Sequence, residues 1–335
     1  MRTTTRAWLI ALGLMLGLAC SVQAQGADIA KLFPDNTEMA FSFNIKSVLN
    51  SGIFQKHFKE EVDKKIKENA QLLKMLETVS LDPMKDITSV TFTVSKFIFK
   101  QPGSPPDIDM FGVIKGAFNV EKLNGALGAL IAAANEGGKV TTSKFGDYVI
   151  YEVKDTSSGK TFYGLIYDKE TIIGGNVKQD VTNAVERLAG RKTGTLNTKF
   201  SELMSKARND NTMWGAIVIP SSVRDMAKMA PPNVSDVIGK FETQTINLNV
   251  KDNVKFDVTM YLQDDEAATA MKGLMDQAKD FAGAAALADE NLGSELADLV
   301  SSLQIGANGK KVSLAGDIKA ELIDKIVKAM KERSK

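Results

Sequence analysis

Apolar positions recur along this chain in two rhythms. Ile246, Leu248 and Val250 alternate with polar residues, the chain turns at Asp252 and Asn253, and Val254, Phe256, Val258 and Met260 alternate again. That period of two predicts a hairpin. Thr243, Thr245, Asn247, Asn249, Lys255, Asp257 and Thr259 take the opposite face, which predicts an antiparallel sheet with helices on its apolar side only and solvent on the other. Further strands are expected at Val90 to Phe99 and Met110 to Phe118, on either side of the Pro-rich "QPGSPPD", and near Tyr148, Phe162 and Ile172. A short hairpin is expected at Asn308 and Gly309.

The second rhythm is helical. Phe54, Phe58, Val62 and Ile66 recur at every fourth position among Lys and Glu, predicting one amphipathic helix packed on a sheet. Val120, Leu123, Leu127, Leu130 and Ile131 mark another, followed by Met271, Leu274, Met275 and Ala278, and by Ile318, Leu322, Ile326 and Met330.

The chain also echoes itself. "DNTEMAFSFNIKSV" starts at Asp35 and "DNTMWGAIVIPSSV" at Asp210, 175 residues later, with five identities in fourteen. Each segment is a turn, an apolar run of strand length, then a serine suited to capping a helix. The expected fold class is therefore α+β with two related halves, each a mainly antiparallel sheet with helices on one face. A parallel doubly wound sheet would be apolar on both strand faces and fits poorly. Boundaries follow: a signal peptide over 1–24, a first half over 25–192, a joint over 193–207 where "GRKTGTLNTK" runs out without periodicity, and a second half over 208–335. With "LFPDNTEMAFSFNIKSVLNSGIFQK", "LDPMKDITSVT" and "DKETIIGGN" in that order, the layout resembles a group of secreted proteins of unknown function from planctomycete-type bacteria. The resemblance implies export and this general fold. It brings no catalytic residue and no substrate.

Arg2 and Arg6 before the apolar stretch Trp8 to Ala19, with Val22 and Ala24 at a cleavage site, read as a secretory signal. Cleavage would remove Cys20, the only cysteine, leaving no disulfide. The competing reading makes Cys20 a lipid-anchored N-terminus. No later segment approaches the roughly 20 apolar residues of a membrane-spanning helix, so a periplasmic or secreted protein is expected. The formal charge of +1 falls to about −1 without the two signal arginines, which disfavours nucleic acid as a partner.

Chemistry is sparse. His57 is the sole histidine, which removes multi-histidine metal sites and leaves any catalytic triad dependent on one position. Glu60 and Glu61, three and four residues on, predict a solvated pair with it. Gly159-Lys160-Thr161 matches the end of a phosphate-binding loop, but Lys154 stands where the first glycine belongs and a strand follows instead of a helix. Asp264, Asp265 and Glu266 open a helix, and Asp289 and Glu290 precede another, where negative charge offsets the helix dipole. Asp107 and Asp109 would share one strand face, the weak geometry of a metal site. No catalytic residue, metal site or cofactor is assigned.

One feature breaks the pattern. Along Val90 to Phe99 the core face is read as Val90, Phe92, Val94 and Ile98, leaving Phe97 and Phe99 at the end of a polar face, a candidate contact for a partner. The functional expectation is thus an exported, non-catalytic envelope protein acting by binding or structural interaction with a protein or a small apolar ligand. Its rivals are a carrier of an apolar molecule in a cleft between the halves, lined by Phe and Met, and a hydrolase using carboxylates only.

Overall fold

The computed structural model describes residues 29–98, 106–134, 140–155, 159–206, 211–229, 231–287 and 293–333. The signal segment, Cys20, Phe99 and the pair Asp289 and Glu290 lie outside them. Helices and antiparallel strands follow one another in blocks, so the chain is α+β. It forms two compact units: residues through Leu49 together with Glu60–Thr198, and Asn50–Lys59 together with Lys199–Lys335.

In the first unit the strands are β1 (Met39–Asn44), β2 (Ile87–Ile98), β3 (Asp107–Gly116), β4 (Val140–Phe145), β5 (Tyr148–Lys154), β6 (Thr161–Asp168) and β7 (Thr171–Gly175). They run side by side as β1-β2-β3-β7-β6-β5-β4, every pair antiparallel. The polar strand β4 had no apolar rhythm to announce it. The helices of this part of the chain are α1 (Ile45–Leu49), α2 (Gly52–His57), α3 (Lys59–Glu68), α4 (Ala70–Val79), α5 (Pro83–Asp86), α6 (Val120–Ala134) and α7 (Lys178–Leu188).

Helices cover both faces of this sheet, against the expectation of one. On one face the rows Thr91, Val113, Ile173, Leu165 and Thr93, Phe111, Gly175, Tyr163 pack on α7, whose Val181, Ala184 and Val185 are fully buried. On the other face α4 and α6 lie over Val90, Ile114, Ile172 and Ile166. The supposed polar face of β2 is consequently its more buried one: Thr91 and Thr93 are 1% and 0% exposed, while Phe92 is only half-buried between Phe41 and Phe43. The hydroxyls tolerate this because Thr91 shares a 2.8 Å hydrogen bond with Ser42 and Thr93 donates to the Phe111 carbonyl. A period of two groups residues by face and does not say which face is covered.

The stripe from Phe54 to Ile66 does not form one helix. The chain breaks at Phe58, which is exposed, and α2 joins the second unit, where Ile53 N–H donates to the Lys251 carbonyl. His57 is not solvated beside Glu60 and Glu61. Its Nε2 lies 2.6 Å from Asp324 Oδ1, its side chain is 12% exposed, and Lys56 Nζ shares the same carboxylate at 2.6 Å. These contacts hold the Asp324 carboxyl below the usual range, the Lys56 hydrogen bond foremost. His57→Ala should lower the melting temperature by about 3 °C, the order of one hydrogen bond, while Glu60→Gln and Glu61→Gln leave it unchanged.

The second unit contains α8 (Thr198–Met204), β8 (Met213–Val218), α9 (Ser221–Ala227), α10 (Pro232–Gly239), β9 (Phe241–Val250), β10 (Val254–Leu262), α11 (Asp265–Ala286), α12 (Gly293–Ser302), β11 (Gln304–Asn308), β12 (Lys311–Ile318) and α13 (Ala320–Arg333). Its strands run β8-β9-β10-β12-β11, all antiparallel. The hairpins at Asp252 and Gly309 fall where the sequence places them, Gly309 with the positive φ of 55° its turn requires. α11 packs Ala267, Ala268 and Met271 on Met260 and Val312. On β9 the expected contrast is again reversed. Thr245 and Asn247 are 3% and 8% exposed and Ile246 and Leu248 only half-buried, because Ala216 and Trp214 of β8 stand beside the polar pair.

Charge ties the last helices together. Lys325 of α13 bonds Glu295 in the first turn of α12 and pulls that carboxyl down to about 2. A depressed acid pKa stabilises the fold above the unfolded value and loses that contribution as pH falls through the folded one. Thermal melts should therefore decline between about pH 4.5 and 2, and more shallowly in Lys325→Gln.

Candidate functional site

The first unit carries a partly open apolar cavity of about 360 Å³ between its sheet and the helices α4 and α6. Met75, Leu76 and Val79 come from α4, and Leu123, Ala126 and Leu127 from α6. The sheet supplies the floor. Strand registers align Gly112 of β3 with Gly174 of β7, and Gly174 with Gly164 of β6, so three residues without side chains form one row across three strands. The next row holds Ile114, Ile172 and Ile166, which form a wall. Tyr151 of β5 pairs with Gly164 and closes the end of the row, its hydroxyl donating to Asn124 Oδ1 of α6 at 2.8 Å. Burial pushes the Tyr151 hydroxyl up and keeps it neutral.

Glycine inside strands weakens them and marks places where something approaches the backbone closely. A Cβ at Gly112 would come no closer than 3.6 Å to any atom, and one at Gly164 no closer than 3.8 Å, in both cases to strand carbonyls. Among the described residues no helix side chain comes within 4 Å of those Cβ positions. The cavity lies entirely within the first unit, not at the joint between halves where a cleft was expected. Among the described residues of the lining, Phe and Met contribute only Phe162 and Met75, while Gly, Val, Leu and Ile dominate.

Phe97 is half-buried, and its neighbours differ from those read in the sequence. A β-bulge between Val94 and Lys96 shifts the register so that Phe97 pairs with Ile108. That places it on the face of Val94 and Met110, and leaves Ile98 43% exposed in its stead. It does not line the cavity. Phe99 is outside the described residues.

The acidic candidates resolve into structural roles. Asp107 is held by Lys96 at 2.9 Å and Lys160 at 3.2 Å, so the Lys160 of the Gly-Lys-Thr turn serves an ion pair. Asp264 caps α11 by accepting from Ala267 N–H at 2.7 Å, which with Lys240 lowers its pKa. Asp180 is pushed up by burial and by nearby Asp109 and does not line the cavity. Among the described residues no group of three or more His, Cys, Asp or Glu could hold a metal ion.

No family model and no curated protein matches the chain. Among solved structures, crystal form I of TP0453 aligns over 92% of this chain and 98% of its own at 12% identity and a TM-score of 0.42. Crystal form IV aligns over 90% and 99% with the same identity and score. At that level of likeness neither ligand nor activity carries over.

Proposed function

We propose that the chain is an exported, non-catalytic binding protein whose first unit holds an apolar small molecule, as a bent alkyl chain, in the cavity under α4 and α6. The observation that carries this reading is the glycine floor. Protein interiors are normally filled to crystal density, yet here Gly112, Gly174 and Gly164 leave a trough across three strands roofed by apolar helices. Neighbouring strands are about 4.8 Å apart, so the trough runs roughly 10 Å. The Ile114, Ile172 and Ile166 wall narrows it, which favours a slender chain over a fused ring. At roughly 30 Å³ per small group the volume admits about a dozen methylenes. Burying them yields about 0.8 kcal/mol each, roughly 10 kcal/mol before an association cost of at least about 4 kcal/mol, which points to a Kd no tighter than tens of micromolar.

Titration with a fluorescent C12 fatty-acid analogue should show saturable one-to-one binding, displaced by dodecanol more readily than by a fused-ring alcohol. Absence of saturable binding by any apolar probe would sink the reading. Export is supported by the basic and apolar N-terminal segment, and mass analysis of secreted protein tests it: a chain beginning at Gln25 agrees, a lipid on Cys20 does not. We further propose that the halves are related. Each strand order begins with the Asp-Asn-Thr strand at one end, continues with a hairpin, and sets beside that hairpin the last strand of the unit. Superposition of the units on β1-β2-β3-β7 and β8-β9-β10-β12 tests this.

A further inference from the structure

The second unit carries a different concavity, of about 550 Å³, on the polar side of its sheet. Its base is a row set by register: Thr243 of β9, Tyr261 of β10 and Lys311 of β12. Past the end of α8, Lys206 places its Nζ 4.5 Å from the centroid of the Tyr261 ring, and Lys311 Nζ lies 5.7 Å from the same centroid. The turn between β11 and β12 adds Asn308, Gly309 and Lys310 to the rim.

The charges around this ring do not balance. Lys199 at the other end of α8 is committed to Glu242 at 2.8 Å. Among the described residues Lys206, Lys310 and Lys311 have no carboxylate within ion-pair distance. Asp264, the acid that feels Lys310, is already held by Lys240 at 3.1 Å and by the Ala267 N–H. Glu202 is the remaining acid among the described residues of the lining, which leaves three cations against one anion there. Two ammonium groups gathered around one aromatic ring repel each other, and a dianion beside them offsets that repulsion.

We propose that this concavity binds a phosphomonoester group, seated among Lys206, Lys310 and Lys311 beside Thr243 and Tyr261. The excess of two positive charges matches a dianion. Lysine binds as a point charge and donates to tetrahedral oxygens from several directions, whereas planar carboxylates are matched by the arginine fork, and no arginine is among the described residues that line the site. A polyanion such as nucleic acid fits poorly, because the cationic surface is one concavity on a chain of formal charge +1.

The test uses the full chain at low ionic strength, with glycerol phosphate as the soluble probe in NMR titrations and phosphatidic acid vesicles as the lipid probe. The three lysines are exposed, so Lys206→Gln with Lys311→Gln should leave the thermal melt unchanged. Saturable glycerol phosphate binding, weakened at least tenfold in that double variant and untouched by Lys85→Gln in the first unit, is the expected result. Retention on phosphatidic acid vesicles but not on phosphatidylcholine vesicles, lost in the double variant and without binding of glycerol phosphate, would assign the same group to a lipid headgroup. Failure to bind either probe, or binding that survives the double substitution, overturns the proposal.

Discussion

Arg187→Met is expected to cost the first unit about 2–5 kcal/mol and to lower its melting temperature by roughly 5–15 °C. The guanidinium of Arg187, in the last turn of α7, has only 2% of its side chain exposed. Its Nη1 donates to the carbonyls of Leu32 and Phe33, and its Nη2 to Asp35 at 2.8 Å. Asp35 also accepts from Thr195 N–H at 2.7 Å, so one side chain ties the start of the unit to its last segment. Methionine fills most of the same volume but leaves two inward carbonyls without a donor, each a desolvation cost of about 1–3 kcal/mol. Arg187 Nε has no partner among the described residues, which already subtracts from the net value of the tie and keeps the expected loss below that of a fully satisfied buried charge. Asp35→Asn should cost less, since that side chain is 41% exposed and the amide oxygen can still accept from Thr195. Thermal or urea melts decide the matter. A loss below 1 kcal/mol for Arg187→Met would show that water replaces the guanidinium.

Gly112→Val combined with Gly164→Val is expected to weaken alkyl-chain binding at least thirtyfold while leaving stability equal or slightly raised. Both positions are in extended strand, where β-branched residues pack well. Their new Cβ atoms would meet strand carbonyls at ordinary contact distance, 3.6 and 3.8 Å. Two isopropyl groups standing on the floor would then occupy the volume the ligand needs, and replacing glycine restricts the unfolded chain, worth about 0.4–1 kcal/mol per site. Gly174 is the wrong position for this test, because a Cβ there would press to 3.3 Å against the Tyr163 carbonyl. Retained binding in the double variant, with an unchanged melt, would place the ligand elsewhere.

Local order was plain in the amino acids. The 241–262 hairpin, the Asn308-Gly309 turn, the strands around β1, β5, β6 and β7, and the helices α6, α11 and α13 all follow from periods of two and 3.6 and from turn residues, which act over a few positions. The cavity was not legible. Gly112 lies some fifty residues before the hairpin that carries Gly164 and Gly174, and only strand register brings the three into one row. The signal that could have raised them was glycine inside apolar strand segments, which alone does not say what lies above it. Tyr261 and its lysines were equally hidden, drawn from β10, β12 and the residues after α8.

By itself, then, the sequence determined the α+β class, most element positions, the scarcity of catalytic side chains and the expectation of export. Tertiary structure alone decided which face of each strand is covered, as Thr91, Thr93 and Thr245 show by being more buried than the apolar neighbours beside them. It also decided that α2 leaves α3 for the second unit, and that the bulge after Val94 turns Phe97 to the other face. The physical reason is shared: periodicity sorts side chains into faces through local backbone geometry, whereas coverage, register and irregularity depend on partners distant in the chain, whose positions no local pattern encodes.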